Sequence, residues 1–489
     1  MHLASLGDRL RVTFVCRHWR RTFLQHATLW SQLHLTGRMD RLLVRTLLGR
    51  VKGSPLDITA NYNRSPIHYV TLLSPFAQQI RSLELESATS DEIQDLSVAI
   101  SGPLPLLRTL EIDAKGYFNG PKSLVAPTLL LFKNATNLEN FALDTHEFPS
   151  LRHFAFPNLT TLRFSTFTVE YPVSELLDFL DASPALQWIW MLIKAFRFCE
   201  DVPPGRVIVL PHVKTFSLDT TSSGPGCEIA THISCPFATN VEFEYGPEGA
   251  GDWVPKVIYP PSKAWNAIVH QYTKGTVERV LFEMTMDEEY HIYCSITFRS
   301  SDGAALKLCY THHTGQVEYE MEEIPAVRIP GIFSQAFQAI REHPLLANVK
   351  RLCIRGGNLV AGNLEPVVDA VGRLLGSMGP LENLTLDGCD LRPYLDPFLD
   401  TPSFPKAVQP TSFPPIKELV IVDPVQPFCN NTVYAAAIMK LVRSQHEREV
   451  RFERVKFRTT VPTLVIDELA DFVGRVEWYE ETVSNGDET

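Results

Sequence analysis

The side chains best suited to chemistry are nine cysteines, at 16, 199, 227, 235, 294, 309, 353, 389 and 429. None stands in a C-x-x-C pair. Most lie in apolar, strand-like runs such as "YCSITF" around Cys294 and "RLCIRG" around Cys353. That setting suits small buried thiols in a reducing compartment rather than disulfides. Cys227, His232 and Cys235 are close in sequence, but their spacing fits no zinc pattern. His312-His313 sits beside an expected hairpin turn, and the acidic run Asp287-Glu288-Glu289 has no matched partner. There is no G-x-x-x-x-G-K-[ST] phosphate loop, G-x-S-x-G elbow or H-E-x-x-H zinc helix. The expectation is a chain with no catalytic residue, no cofactor and no metal, hence not an enzyme.

Recognition is the chemistry that remains. Trp188 and Trp190 flank Ile189 in "LQWIWML". If a strand turns Ile189 and Met191 inward, alternation turns both indoles outward. Exposed tryptophans are strong interface anchors. By the same alternation Glu242 and Glu244 share an outward face, and Arg279, Arg351 and Arg355 follow further along, which is either a change from acidic to basic lining or a set of solvated surface charges. Trp188, Trp190, Glu242, Glu244, Arg279 and Arg351 therefore form the candidate face for a protein substrate.

The elements that must position these residues show in a recurring apolar-x-x-apolar-x-apolar window. Its central residues are Leu83, Leu110, Phe141, Phe154, Leu162, Ile189, Phe216, Val241, Val280, Leu352, Leu384, Leu419 and Val455. In a chain that is 45% hydrophobic such triplets also arise by chance. Two features carry the signal. The residues after the first apolar position are polar, Trp188 excepted, and proline stands two residues before the window at 105, 149, 157, 184, 211, 236 and 414. Proline can open a strand but not sit within a ladder. The window "LENLTLDGC" carries the L-x-x-L-x-L-x-x-C form of a leucine-rich repeat.

Helical spacing of apolar residues falls between windows, at 91–100, 174–182, 262–272, 334–343, 365–378 and 434–446, with Asp91, Ser174 and Ser262 as expected caps. Strand followed by helix, repeated, implies an α/β fold: an irregular leucine-rich-repeat solenoid of parallel strands with outer helices. Residues 289–322, with turn signals at Asp302-Gly303 and Thr314-Gly315, predict an antiparallel β insertion. The proline-rich stretch 396–415 predicts a surface loop.

Charge is uneven. Residues 1–52 hold ten Lys/Arg against Asp8 and Asp40, a net +8, which leaves −19 on the rest of a chain totalling −11. A basic head suggests an acidic partner, and the acidic body argues against a nucleic acid as that partner. No signal peptide and no run of eighteen apolar residues is visible, so no membrane contact and an intracellular location, cytoplasmic or nuclear, are expected.

The basic head reads "DRLRVTFVCRHWRRTFLQHATLWSQLHL" over residues 8–35. Leu10, Phe14 and Val15 fall on one helical face, extended by Trp19 and Phe23. The run Leu10-Arg11-Val12, Val15-Cys16-Arg17-His18-Trp19, Leu29-Trp30 and Leu33-His34-Leu35 resembles the second half of an F-box of the fungal type. Only "MHLASLG" precedes it, so residues 1–36 are expected to be a truncated F-box-like segment, 37–480 the repeat body and 481–489 a disordered tail. The resemblance implies a substrate receptor of a Skp–cullin–F-box ubiquitin ligase. Leu10, Val12, Val15, Cys16, Arg17, Trp19, Leu29 and Trp30 would contact the Skp-type adaptor, and the repeats would hold the substrate. The alternative is a leucine-rich-repeat interaction scaffold with no ligase contact.

Overall fold

A computed structural model describes residues 10–11, 13–36, 39–62, 70–100, 102–114, 135–145, 151, 154–166, 173–193, 202–203, 205–220, 229–245, 271–272, 276–286, 292–312, 344–356, 375, 378–379, 381–387, 415–422, 432–447, 449–458 and 463–478. The fold is mixed α/β and dominated by mostly parallel sheet. Contacts divide the chain into two compact units, Met1–Ala238 and Thr239–Thr489, and the basic head belongs to the first.

In the first unit eight strands pair in succession, all parallel: β1 (Gln32–Thr36), β2 (Leu56–Asn61), β3 (Ile80–Glu86), β4 (Thr109–Ala114), β5 (Asn140–Thr145), β6 (Thr161–Thr166), β7 (Trp188–Ile193) and β9 (Thr215–Thr220). A separate small pair joins β8 (Ile208–Val209) to β10 (Ile233–Ser234). In the second unit β11 (Asn240–Tyr245) runs parallel to β14 (Ala305–His312). β14 is antiparallel to β13 (Ile292–Ser300), which is antiparallel to β12 (Val277–Met286). From β12 the parallel order resumes through β15 (Arg351–Gly356), β16 (Leu381–Asp387), β17 (Ile416–Val422), β18 (Arg454–Arg458) and β19 (Val476–Trp478). The hairpin β13–β14 therefore lies within the sheet, between β11 and β12, and turns at Asp302-Gly303. Gly303 has φ 87°, the left-handed region that glycine enters without a Cβ clash. Thr314-Gly315 lies outside the described residues.

Twelve of the thirteen windows are strands. Their central residues are no more than 2% exposed, and the next apolar residue, two positions on, is buried with them. Each such Leu or Phe contributes roughly 1.5–3 kcal/mol by leaving water. The exception is Leu151-Phe154-Phe156. β5 pairs directly with β6, which leaves no place in the ladder for the segment between them. Among the described residues of that segment Leu151, Phe154 and Phe156 are buried without belonging to a strand. Phe156 packs edge-on against Phe141 and Phe179, with ring centroids 5.8 and 6.2 Å apart.

The prolines do something other than open strands. Pro105, Pro157, Pro184, Pro211 and Pro236 each occupy the second position of a β-turn. In each turn the N–H of the window's first apolar residue bonds the carbonyl three residues back, as Leu107 does to Leu104 at 3.2 Å and Leu159 to Phe156 at 3.0 Å. Proline's fixed φ suits that position. Asn137 and Asn158, in two successive turns, donate to the turn before, at Pro105 O (2.8 Å) and Thr136 O (3.0 Å).

Helices fill several connections: α1 (Arg17–Gln25), α2 (Arg41–Val51), α3 (Val70–Leu73), α4 (Ser90–Ala99), α5 (Val173–Asp181), α6 (Thr432–Glu447) and α7 (Thr463–Ala470). α4, α5 and α6 match the expected helices at 91–100, 174–182 and 434–446. Most of 262–272 and 365–378, and all of 334–343 and 396–414, lie outside the described residues. The cap of α4 is Thr89 rather than Asp91. Its hydroxyl accepts from Glu92 N–H while its own N–H donates to the Glu92 carboxylate, a reciprocal capping box. Ser174 lies inside α5, one residue past its start, not before it. On α6, Gln445 is buried and accepts the N–H of Ile416 at 3.3 Å, tying the helix to the first residue of β17.

Candidate interaction surfaces

The head is built around one buried indole. Trp30 is fully buried, donates its Nε1–H to Phe23 O at 2.9 Å and lies under the Arg50 guanidinium at 4.7 Å. α1 starts at Arg17 because Cys16 caps it, the thiol sulfur accepting from Trp19 N–H at 3.4 Å. Phe14 and Val15 are in a turn before the helix, not on its face, and of the expected aromatic stripe only Phe23 is buried within the helix. Phe14, Val15 and Trp19 stay 73%, 68% and 44% exposed. Arg17, Arg20 and Arg21 are exposed among them, and Arg20 is held by Thr13 O at 2.8 Å.

Of the eight residues expected to meet an adaptor, Val15, Cys16, Arg17 and Trp19 are exposed, and Leu10 and Leu29 are half-buried. Val12 lies outside the described residues. Trp30 is unavailable to a partner, because an indole enclosed on all sides positions the head rather than contacting from it.

On the first unit's sheet the outward residues form registered rows. Thr161, Trp188 and Thr215 stand side by side, as do Arg163, Trp190 and Ser217. Ile189 and Met191 are fully buried, so both tryptophans project outward, where each is half-buried. Arg163 stacks on Trp190 at 5.1 Å. Further along the same face, Glu84 stands beside Glu111 and Asp113 beside Asp144. Burial raises the Glu111 pKa, Glu84 raises it further, and Arg163 acts against both. A shallow groove of about 470 Å³ opens where these strands begin; its lining includes the ion pairs Arg81–Asp57 (2.6 Å) and Arg108–Glu139 (3.1 Å).

On the second unit Glu242 is not a solitary acid. It accepts from Lys307 at 2.8 Å, and the Cys309 thiol lies 3.5 Å away. Glu244 is half-buried beside Cys309. Arg279 and Arg351 are exposed and adjacent in register. Sequence reasoning missed Lys307, Arg299 and the clamp in which Arg355 donates to Glu283 (2.7 Å) and Asp387 (2.8 Å). The four-residue spacing of Arg351 and Arg355 in "RLCIR" places both on one face of a strand, and that was the available signal. Nothing in the sequence says which strand lies alongside.

Cys235 and Cys353 are buried, Cys309 is half-buried and Cys16 is exposed; all four are free thiols. Burial pushes the Cys235 thiol up to about 12. His232 Nδ1 is engaged with Arg206 O at 2.7 Å. Among the described residues no group of three His, Cys, Asp or Glu is arranged to hold a metal ion, and no helix is long and apolar enough to cross a membrane.

No protein-family model matches the sequence, and a search of curated proteins finds no match.

Proposed function

We propose that this chain is a non-catalytic, intracellular substrate-recognition adaptor resembling the F-box subunit of a Skp–cullin–F-box ubiquitin ligase, with an irregular leucine-rich-repeat body that presents a protein substrate. The observation that carries the reading is the patch Phe14, Val15 and Trp19, exposed beside Arg17, Arg20 and Arg21 in the segment that bears the Val-Cys-Arg-x-Trp motif. An apolar patch set among basic groups suits an acidic partner with an apolar centre. The registered parallel strands and their repeated Pro-x-apolar turns support the repeat reading of the body, and Trp188 and Trp190 supply anchors on its outward face.

Capture by a purified Skp-type adaptor tests the proposal, using this chain and a version extended upstream through a complete first helix. Capture of either, lost in Val15→Asp with Trp19→Ala, is the expected result. Failure to capture both versions overturns the ligase reading and leaves the interaction scaffold.

A further inference from the structure

We propose that Arg299, Arg279 and Arg351 form a docking row for an extended, carboxylate-rich peptide. The inference deepens the reading above and rests on the outward sheet face being where a substrate is held.

The row arises from register. Arg299 on β13 is opposite Arg279 on β12, and Arg279 is opposite Arg351 on β15. All three are exposed and outward, because the residues next to them, Phe298, Val280 and Leu352, are buried. Strands are about 4.8 Å apart, so three guanidiniums are rooted within about 10 Å. Among the described residues none of the three makes an ion pair. Their neighbours in the row are Ala305 on one side and Asn383 on the other. Asn383 is already committed, donating to Glu418 at 2.9 Å and accepting from Thr385 at 2.8 Å.

The same face shows what its carboxylates do. Four residues along these strands Arg355 is clamped between Glu283 and Asp387. The row between holds Thr297, Leu281, Cys353 and Thr385, which are uncharged. Among the described residues the acids in reach on this face are thus spent on Arg355, and the three arginines face one another. Like charges directly opposite in a sheet are destabilising. A partner that neutralises them removes that repulsion, and Arg355 illustrates the chemistry: guanidinium to carboxylate, the pairing with matched fork geometry. An extended peptide places same-side carboxylates about 6.8 Å apart, so two or three alternate Asp or Glu residues span the row within the reach of arginine side chains.

Fluorescence anisotropy of a labelled hexaglutamate peptide with the full chain tests this. Saturable binding is expected at low salt, weakening as the ionic strength rises and screening shortens. Arg279→Gln with Arg351→Gln is expected to weaken it about tenfold, and Arg108→Gln on the first unit to leave it unchanged. The double variant should melt no earlier than the parent, since repulsion is relieved. If it melts early, Arg279→Lys with Arg351→Lys replaces it, and weaker binding is again expected because the bidentate fork is lost. Absence of saturable binding, equal binding by hexaglutamine, or equal binding by the variants overturns the proposal. Tighter binding of a phosphoserine peptide or of single-stranded DNA of equal charge also overturns it, assigning the row to phosphate. The assay contains no ligase subunit. A chain that binds the peptide but is not captured by the Skp-type adaptor keeps the docking row and loses the adaptor reading.

Discussion

Trp30 donates its indole N–H to the backbone carbonyl of Phe23, so the short turn Ala27–Trp30 is bonded to the helix that precedes it. The distance is 2.9 Å, the ring is fully buried, and Arg50 from α2 covers its face at 4.7 Å. The contact joins the head to the first connection of the sheet. Trp30→Phe keeps most of the apolar volume but leaves the Phe23 carbonyl without its donor and opens a small void. A loss of about 1–3 kcal/mol is expected. Urea unfolding monitored by circular dichroism measures it. An unchanged midpoint would show that the indole hydrogen bond contributes nothing net.

Gly379 is tight for reasons of space. A Cβ built there would lie 2.1 Å from the carbonyl oxygen of Ala347, a backbone atom that cannot swing away. Gly102 has nothing within 4 Å of the same position. Gly379→Ala is expected to cost about 1–3 kcal/mol by forcing two backbone segments apart. Gly102→Ala should be close to neutral. Parallel denaturation of the two variants gives the comparison, and equal midpoints would refute the packing argument.

Glu111 links stability to pH. Burial and the neighbouring Glu84 hold its pKa above the ordinary carboxylate range. A carboxyl with a raised folded pKa binds its proton more readily folded than unfolded, so ionising it costs stability. The cost is present at neutral pH and disappears as pH falls through the folded and then the unfolded pKa. Glu111 is exposed on its strand and Arg163 opposes the shift, so after solvent screening Glu111→Gln should stabilise the chain at pH 7 by only about a few tenths of a kcal/mol. The gain should shrink toward pH 4. Thermal melts of parent and variant across that range test the sign; a gain that grows on acidification contradicts it.

Much of the architecture was legible from spacing. The window centred on Leu384 is a strand with Leu381, Leu384 and Leu386 buried, as alternation requires. The window centred on Phe154 satisfies the same pattern and is no strand, because β5 and β6 pair directly and claim the ladder bonds. Apolar spacing reports that side chains go inward; it does not report where the backbone hydrogen bonds go. Proline two residues before a window marked a true boundary for a different reason than strand opening, namely a turn whose last N–H belongs to the first buried residue. The head was read as a helical face carrying Phe14 and Val15, yet the cap at Cys16 starts the helix after them and leaves both outside.

The candidate surfaces divide in the same way. The sequence left the direction of Trp188 and Trp190 conditional, because WIWMLI is apolar on both alternating faces; the burial of Ile189 and Met191 in the structure turns both indoles outward. The company each outward residue keeps does not follow from the sequence. Glu242 meets Lys307, Arg355 meets Glu283 from 72 residues away, and Arg279 meets Arg299 on one side and Arg351 on the other. The sequence by itself determined which face is buried wherever a strand alternates apolar with polar residues, a local consequence of period-two patterning and the cost of exposing apolar surface. Only the tertiary structure decided which charges stand together, because inter-strand register is set by long-range backbone pairing, including a hairpin inserted between β11 and β12, that no local spacing encodes.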